Sequence, residues 1–199
     1  MQYLSQRLAV EPASTPEGGQ LRGPVASGQR ERLLAATERL VAEKGCAGTT
    51  IEGIVKAAGV SSVTFYEHFS DKEECFVAAF DRDAEELRAE LRAAAPAGLP
   101  QGDRVRAGLA ALLTAVDAEP ARARLCFVEA QKGGARMRAR YDEMLDAAAA
   151  ELSDPLGQAI AGGLAWLLRE RLELGGGGSV QDLLPRMTEV VLAPSFAHG

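Results

Sequence analysis

Residues 60–74 read VSSVTFYEHFSDKEE, and this stretch decides the fold of the N-terminal part of the chain. Gly59, just before it, can adopt the left-handed conformation that ends a helix, and Ser61 can cap the start of the next one. The sequence therefore predicts a short helix over about 62–68. Phe65 and Phe69 lie four residues apart on one face of it, so we expect both rings to be buried against the preceding helix.

The opposite side of this short helix carries small and polar residues, namely Ser62, Val63, Thr64, Tyr66 and His68. Two helices joined by such a short turn have the spacing of a helix-turn-helix, whose second helix enters the major groove of DNA. Hydroxyls on the first turn can hydrogen-bond base edges, and a valine can pack on a thymine methyl. Tyr66, His68 and Lys72 are longer and suit phosphate oxygens. The pattern therefore favours a DNA-binding segment.

Helical signals continue on both sides of this segment. The periodicity predicts a first helix from Gln29 to about Lys44, a second ending at Gly59, and a fourth from Asp71 to about Ala95. Two capping boxes are predicted at helix starts: Thr49 with Glu52, and Ser70 with Glu73. The fourth helix is long enough to join a small head to a separate body.

Beyond Pro96 the apolar pattern predicts five more helical stretches, near 102–118, 120–131, 134–152, 155–174 and 179–193. Pro185 should bend or restart the last of them, because proline lacks an amide donor. No alternating strand pattern of useful length occurs, so the predicted fold class is all-α. The predicted domains are a flexible N-terminal extension over 1–27, a three-helix helix-turn-helix head over 28–75 and a helical body over 76–199.

Composition excludes several classes of function. The chain has 199 residues, 47% of them apolar and 25% charged, which is ordinary for a globular protein. No apolar run approaches the roughly 18 residues of a membrane span, so no membrane partner and a cytoplasmic location are expected. The three cysteines and two histidines do not have the spacing of a disulfide framework or a metal site. We also find no hydrolase, phosphate-loop or zinc-protease motif, so neither an enzyme nor a cofactor is expected.

Net charge is the observation that opposes nucleic-acid binding. The chain carries a formal charge of −6, and the head itself is not net positive. Phosphate binding usually requires clustered lysine and arginine. Binding would therefore rest on a few well-placed cations, backbone amides and hydroxyls, and a helical protein-interaction module stays open as an alternative. Arg22, Arg30 and Arg32 either reach the DNA or belong to a solvated tail.

The segment TTIEGIVKAAGVSSVTFYEHFSDKEECFVAAF, residues 49–80, closely resembles the DNA-binding head of TetR family transcriptional regulators. The resemblance covers roughly residues 30–80. It implies a homodimeric one-component repressor with a variable helical body for ligand binding and dimerisation; an activator is the alternative. By resemblance, the residues that read bases are Ser62, Val63 and Thr64, with Ser61 beside them. The residues that contact the DNA backbone are Thr50, Tyr66, His68 and Lys72. Two departures are Val55 in place of the usual alanine and Val63 where glycine or arginine is frequent, and the second leaves the operator sequence undetermined.

The resemblance also guides the interpretation of the body. Aromatic, thioether and polar residues recur on three of its helices and suit a medium-sized, mostly apolar effector. The expected ligand-binding residues are Phe127, Glu129, Met137, Tyr141, Met144 and Trp166, although such stripes are also ordinary core. The last two helices carry broad apolar stripes, and we expect them to form a four-helix bundle with a second copy of the chain. The expected partners are thus a double-stranded operator, a small effector and a second subunit.

Overall fold

The computed structural model describes residues 24–152, 156–174 and 179–192. The predicted extension lies mostly outside these residues, as does Arg22. The helices of the N-terminal half are α1 (Pro24–Gly48), α2 (Ile51–Ala58), α3 (Ser62–His68) and α4 (Lys72–Ala94). The later helices are α5 (Gln101–Ala118), α6 (Pro120–Arg124), α7 (Ala130–Lys132), α8 (Ala135–Leu152), α9 (Gly157–Leu174) and α10 (Leu184–Leu192). No strand occurs in these ranges, and the all-α prediction is confirmed.

Local sequence signals explain how the first three helices begin and end. The backbone leaves the helical conformation at Gly45, whose φ of 72° favours glycine, so the end of α1 turns toward α2. Gly59 ends α2 with a φ of 65°, as predicted. Ser61 caps α3 by accepting the amide of Thr64 at 3.1 Å, which confirms the predicted cap. The predicted bounds of α3 are also confirmed, while α1 begins at Pro24 instead of Gln29.

Both predicted capping boxes are wrong by one residue. Thr50, not Thr49, caps α2, and its hydroxyl accepts the amide of Gly53 at 3.1 Å. Thr49 is buried and donates its hydroxyl to the carbonyl of Gly45 at 2.9 Å, so it is not available as a cap. At the start of α4 the cap is Asp71 instead of Ser70.

The body packs around α4, which is shared with the head. A π-helical turn, Leu125–Glu129, joins α6 to α7, and all five of its residues are buried. A short 3₁₀ turn, Val180–Leu183, precedes α10, so the chain restarts as an α-helix next to Pro185 and that prediction is confirmed. Within the described ranges, no helix is both long and apolar enough to cross a membrane.

A buried carboxylate joins the head to the π-helical turn. Glu129 Oε2 accepts the amide of Cys46 at 3.1 Å, just after the break in α1. The Cys46 thiol in turn donates to the Glu129 carbonyl at 3.7 Å. A Cβ atom on Gly45 would lie 3.0 Å from Glu129 Oε2, so glycine also makes room for this contact. The end of α1 is therefore held against the body through Glu129 and Cys46.

Charged side chains on α4 form ion pairs with charged side chains on the helices packed against it. Arg82 donates to Glu38 of α1 at 2.7 Å and to the buried Asp83 at 2.7 Å and 2.9 Å. Burial raises the pKa of Asp83 to about 6, although Arg82 opposes this shift. Arg122 of α6 forms a two-point pair with Glu90 at 2.8 Å and 3.1 Å. These pairs connect α1, α4 and α6 on the side of α4 that faces them.

Candidate nucleic-acid interface and ligand cavity

Two buried aromatic rings hold α3 in place. Phe65 is fully buried and Phe69 nearly so, with ring centroids 5.6 Å apart. The guanidinium of Arg30 lies 5.5 Å from the centroid of the Phe69 ring. A helix of seven residues has little stability of its own, so these contacts fix its position. The predicted inward face is confirmed.

The opposite side of α3 is open. Val63 is 70% exposed and Tyr66 is 59% exposed, and Ser62 is exposed beside them. The Thr64 hydroxyl lies 3.0 Å from that of Ser61, and each hydroxyl can still bond to an outside group. This surface thus combines hydroxyls, one aliphatic group and one phenol within two turns, which is chemistry that can read base edges and phosphates.

The residues expected to contact phosphates differ in their surroundings. Thr50 is exposed, and its hydroxyl proton remains available although its oxygen caps α2. Lys72 donates to the carbonyls of Thr49 at 2.9 Å and Cys46 at 3.2 Å, which leaves one of its three donors for another group. The Nε2 atom of His68 is covered and has no hydrogen-bond partner among the described residues. Thr50 and Tyr66 are therefore the better placed candidates.

The turn between α3 and α4 is tied to the body. Arg136, at the start of α8, donates to both carboxylate oxygens of Asp71 at 2.9 Å and 2.7 Å. It also reaches Glu73 at 3.2 Å. The amide of Glu74 and then the Arg136 guanidinium hold the pKa of Asp71 below its ordinary value. These groups are exposed, so solvent weakens each pair.

A cavity of about 440 Å³ lies in the body, between α4, α5, α8 and α9. Its walls are mainly aliphatic, with Leu91, Val105, Leu109, Leu112, Leu164 and Leu168 among the lining residues. Charged residues, four of them arginines, also line it. This size and lining are typical of a site for a small, mostly apolar molecule. The described residues include no cluster of three or more side chains suited to hold a metal ion.

The structure brings only two of the six expected ligand-binding residues to this cavity, Phe127 and Met144. Glu129 lies at the junction with α1 instead, and Trp166 is 47% exposed on α9. Met137 and Tyr141 are buried on α8 but are not among the lining residues. The hydroxyl of Tyr141 accepts a hydrogen bond from Gln131 at 2.9 Å.

Much of the cavity lining comes from α4 and α5, which sequence reasoning missed. Leu91, Val105 and Leu109 look like ordinary core positions in the sequence, and only the helix arrangement shows that they border a space. Arg104 was also missed, although an arginine between apolar positions of an amphipathic helix is a usable signal. Of the body residues expected from their aromatic, thioether or polar side chains, Phe127 and Met144 thus border the cavity.

Comparison with known proteins agrees with the geometry of the head. A family model described as bacterial regulatory proteins of the tetR family matches residues 33–79, which include the turn and α3. EthR of Mycobacterium tuberculosis, an HTH-type transcriptional regulator, is 31% identical over 74 residues, or 37% of this chain and 34% of EthR. The head of the chain is of the TetR family. The family prediction is therefore confirmed.

Other relatives extend the likeness beyond the head. FasR of Mycolicibacterium smegmatis, an HTH-type transcriptional activator, is 29% identical over 114 residues, or 56% of this chain and 52% of FasR. The crystal structure of the regulator FadR from Bacillus subtilis in complex with stearoyl-CoA has a TM-score of 0.70 at 13% identity, over 82% of this chain and 97% of FadR. The chain thus matches only about a third to a half of these curated relatives in sequence. It shares the TetR-like fold over most of its length.

Proposed function

We propose that this TetR-family chain is a ligand-responsive regulator that binds a near-palindromic DNA operator as a homodimer and is released by a small, mostly apolar effector. It acts in the cytoplasm, on DNA, and without catalysis. The observation that carries the proposal is the open side of α3, where Val63 and Tyr66 are exposed above two buried phenylalanines. Folding does not require exposed apolar groups there, whereas a surface that reads base pairs uses them.

Ser62, Val63 and Thr64 are the proposed base-reading residues. Their side chains are short, so the first turn of α3 can approach the floor of the major groove. The hydroxyls of Thr50, Ser61 and Tyr66 bind phosphate oxygens. Lys72 and His68 are partly buried beside these hydroxyls and contact the same DNA backbone. Because the chain is acidic overall, binding relies on these directed contacts more than on a broad basic field.

The apolar face of α9 and α10 supports the proposed dimer. Trp166 is 47%, Leu174 74% and Val190 40% exposed in the single chain. A Cβ atom on Gly162 or Gly163 would meet nothing within 4 Å, so this part of α9 is open to close helix approach. Exposed apolar groups in such number usually mark an interface. Two heads held in this way would lie in successive major grooves about 34 Å apart.

The apolar cavity supports release by an effector. It is bordered by α4, whose first residues adjoin the turn after α3, and by α8, whose Arg136 contacts that turn. An effector that prefers one arrangement of α4 and α8 would therefore change the spacing of the heads. Its differential affinity for the two arrangements sets the size of the response.

Activation is the second candidate, because the matched relative FasR is described as a transcriptional activator. The two functions share the α3 surface and differ in where the operator lies relative to the promoter. Transcription in vitro from the bound promoter, with and without the protein, separates them: lower transcript levels support repression, and higher levels support activation.

A gel-shift titration tests the proposal. The purified full chain is mixed with the DNA upstream of its own gene and with a shuffled duplex of the same composition, between about 50 and 200 mM salt. We expect selective retardation of the native duplex that weakens as salt rises. A folded dimer that retards neither duplex, or both equally, contradicts the proposal and favours a protein-interaction module.

A further inference from the structure

The main cavity adjoins a second hollow of about 370 Å³. Arg92, Ala95, Arg104 and Glu151 line both spaces. The second hollow is otherwise bordered by the turn after α4 and by the end of α8. A molecule that fills the apolar cavity can therefore extend one end between these four residues.

Charge differs between the two ends of the apolar cavity. At the end nearer the head, Arg140 donates to Asp81 at 2.8 Å and also to Glu143, while Arg88 pairs with Glu85 at 2.8 Å. Acids outnumber bases among these five residues, and each arginine is already paired. Among the described residues that line this end, none offers an unpaired cation to a ligand.

The other end has a cation in excess. Arg92 pairs with Glu151 at 3.2 Å, but Arg104, which is half-buried, makes no ion pair or side-chain hydrogen bond within residues 24–152, 156–174 and 179–192. Positions 81 and 92 of α4 are separated by about 16 Å along the helix axis, so the two ends are distinct. Among the described residues, the guanidinium of Arg104 is thus the unpaired cation of the lining, and it lies at the end of the aliphatic cavity that is farther from the head.

Guanidinium groups bind carboxylates and phosphates through two parallel hydrogen bonds, which makes arginine selective for these anions. We infer that the effector is an amphipathic anion, with its apolar chain in the main cavity and its carboxylate or phosphate group on Arg104 beside the second hollow. This inference rests on the proposed function, because it assumes that the cavity is the effector site.

Isothermal titration calorimetry on the full chain tests the inference with three probes that share one alkyl chain: dodecanoate, dodecyl phosphate and 1-dodecanol, each below its aggregation limit. We expect at least one anion to bind about tenfold or more tightly than the alcohol. The two anionic arms show whether a carboxylate or a phosphate fits better. Replacing Arg104→Gln should weaken anion binding about 10- to 100-fold and leave 1-dodecanol binding unchanged.

Two further variants keep the test specific. Arg104→Lys retains the charge and should keep most of the preference for the anion over the alcohol. Arg106→Gln is the matched control, because Arg106 lies two residues away on α5, is exposed, pairs with Asp103 at 3.6 Å and does not line the cavity. Thermal unfolding by circular dichroism checks that each variant is folded.

The outcomes separate the two levels of the proposal. Equal binding of all three probes by the wild-type chain, or anion binding unchanged in folded Arg104→Gln, overturns the anionic head group but leaves an apolar effector site in place. Failure of all three probes to bind overturns the inference together with the effector half of the proposed function. The proposed binding to DNA is tested separately, by the gel shift.

Discussion

Replacing Glu129→Ala should destabilise the protein by removing the contact between the body and the end of α1. In the folded chain the carboxylate accepts the buried amide of Cys46 at 3.1 Å and pairs with Lys132 at 3.3 Å. Alanine removes the acceptor, while the position of Cys46 beside the π-helical turn leaves little access for water. The amide would then be buried without a partner.

The expected loss can be estimated from these two contacts. An orphaned buried amide costs about 1–3 kcal/mol. The half-exposed Lys132 adds at most about 1 kcal/mol, since solvent screens such pairs. Relief of the buried charge offsets part of this loss, so we expect a fall of about 2–3 kcal/mol in the free energy of unfolding. Glu129→Gln keeps an oxygen that can accept the amide and should cost about 1 kcal/mol or less.

Urea unfolding at one fixed protein concentration measures these differences, because a dimer's apparent stability depends on concentration. Glu43→Ala is the matched control: it removes a carboxylate from an exposed position two residues before Gly45 and should change stability by no more than about 0.5 kcal/mol. If the alanine and glutamine variants at position 129 unfold with the same free energy, the reasoning about the Cys46 amide is refuted.

Two further predictions concern burial in and around the head. Asp83, with its pKa raised to about 6 by burial, holds its proton more tightly in the folded chain than in the unfolded one, where the pKa is near 4. Its stability contribution therefore rises as the pH falls through 6 toward 4, by up to about 3 kcal/mol. The free energy of unfolding of Asp83→Asn minus that of wild type should therefore fall between pH 7.5 and 5 in urea unfolding, and a constant difference contradicts this. Phe65→Ala should lower the free energy of unfolding by about 3–5 kcal/mol and abolish gel retardation. Tyr66→Ala should lower it by less than about 1 kcal/mol. Similar unfolding curves for the two variants would contradict the assignment of Phe65 to the buried face of α3 and Tyr66 to the exposed face.

The head could be predicted from the sequence because its signals are local. The left-handed glycine at 59, the Ser61 cap and the four-residue spacing of Phe65 and Phe69 each act within one turn of helix, and all three are confirmed. The capping boxes were misplaced because two adjacent residues could serve as the cap at each helix start. Burial of Thr49 decides the first case, and burial depends on tertiary packing that a local pattern does not contain.

The cavity was harder to predict because it is a property of packing between four helices. Residues two positions apart lie on nearly opposite faces of a helix, so Phe127 can border the cavity while Glu129 contacts α1. Met137 precedes the part of α8 that borders the cavity, which begins at Arg140, while Tyr141 lies within that part but its hydroxyl accepts a hydrogen bond from Gln131. Nothing in an apolar periodicity indicates which side of a helix faces a space and which faces another side chain.

Trp166 illustrates a signal that was present but was assigned to another role. Gly162, Gly163 and Trp166 lie within one turn of α9, and the tryptophan is 47% exposed. Small residues next to a large exposed ring are typical of a helix that packs against a partner. The same sequence pattern therefore supports the proposed dimer better than the ligand site to which it was first assigned.

The central claim is that the open side of α3 reads base pairs, and selection from a randomised duplex library tests it most directly. Wild type, Thr64→Val and Tyr66→Phe are each allowed to select their preferred sequences at one salt concentration. We expect Thr64→Val to change the selected base at one position of each half-site, and Tyr66→Phe to select the wild-type sequence with uniformly weaker binding. Identical selected sequences and affinities for all three proteins, each shown to be folded and dimeric, would contradict the claim.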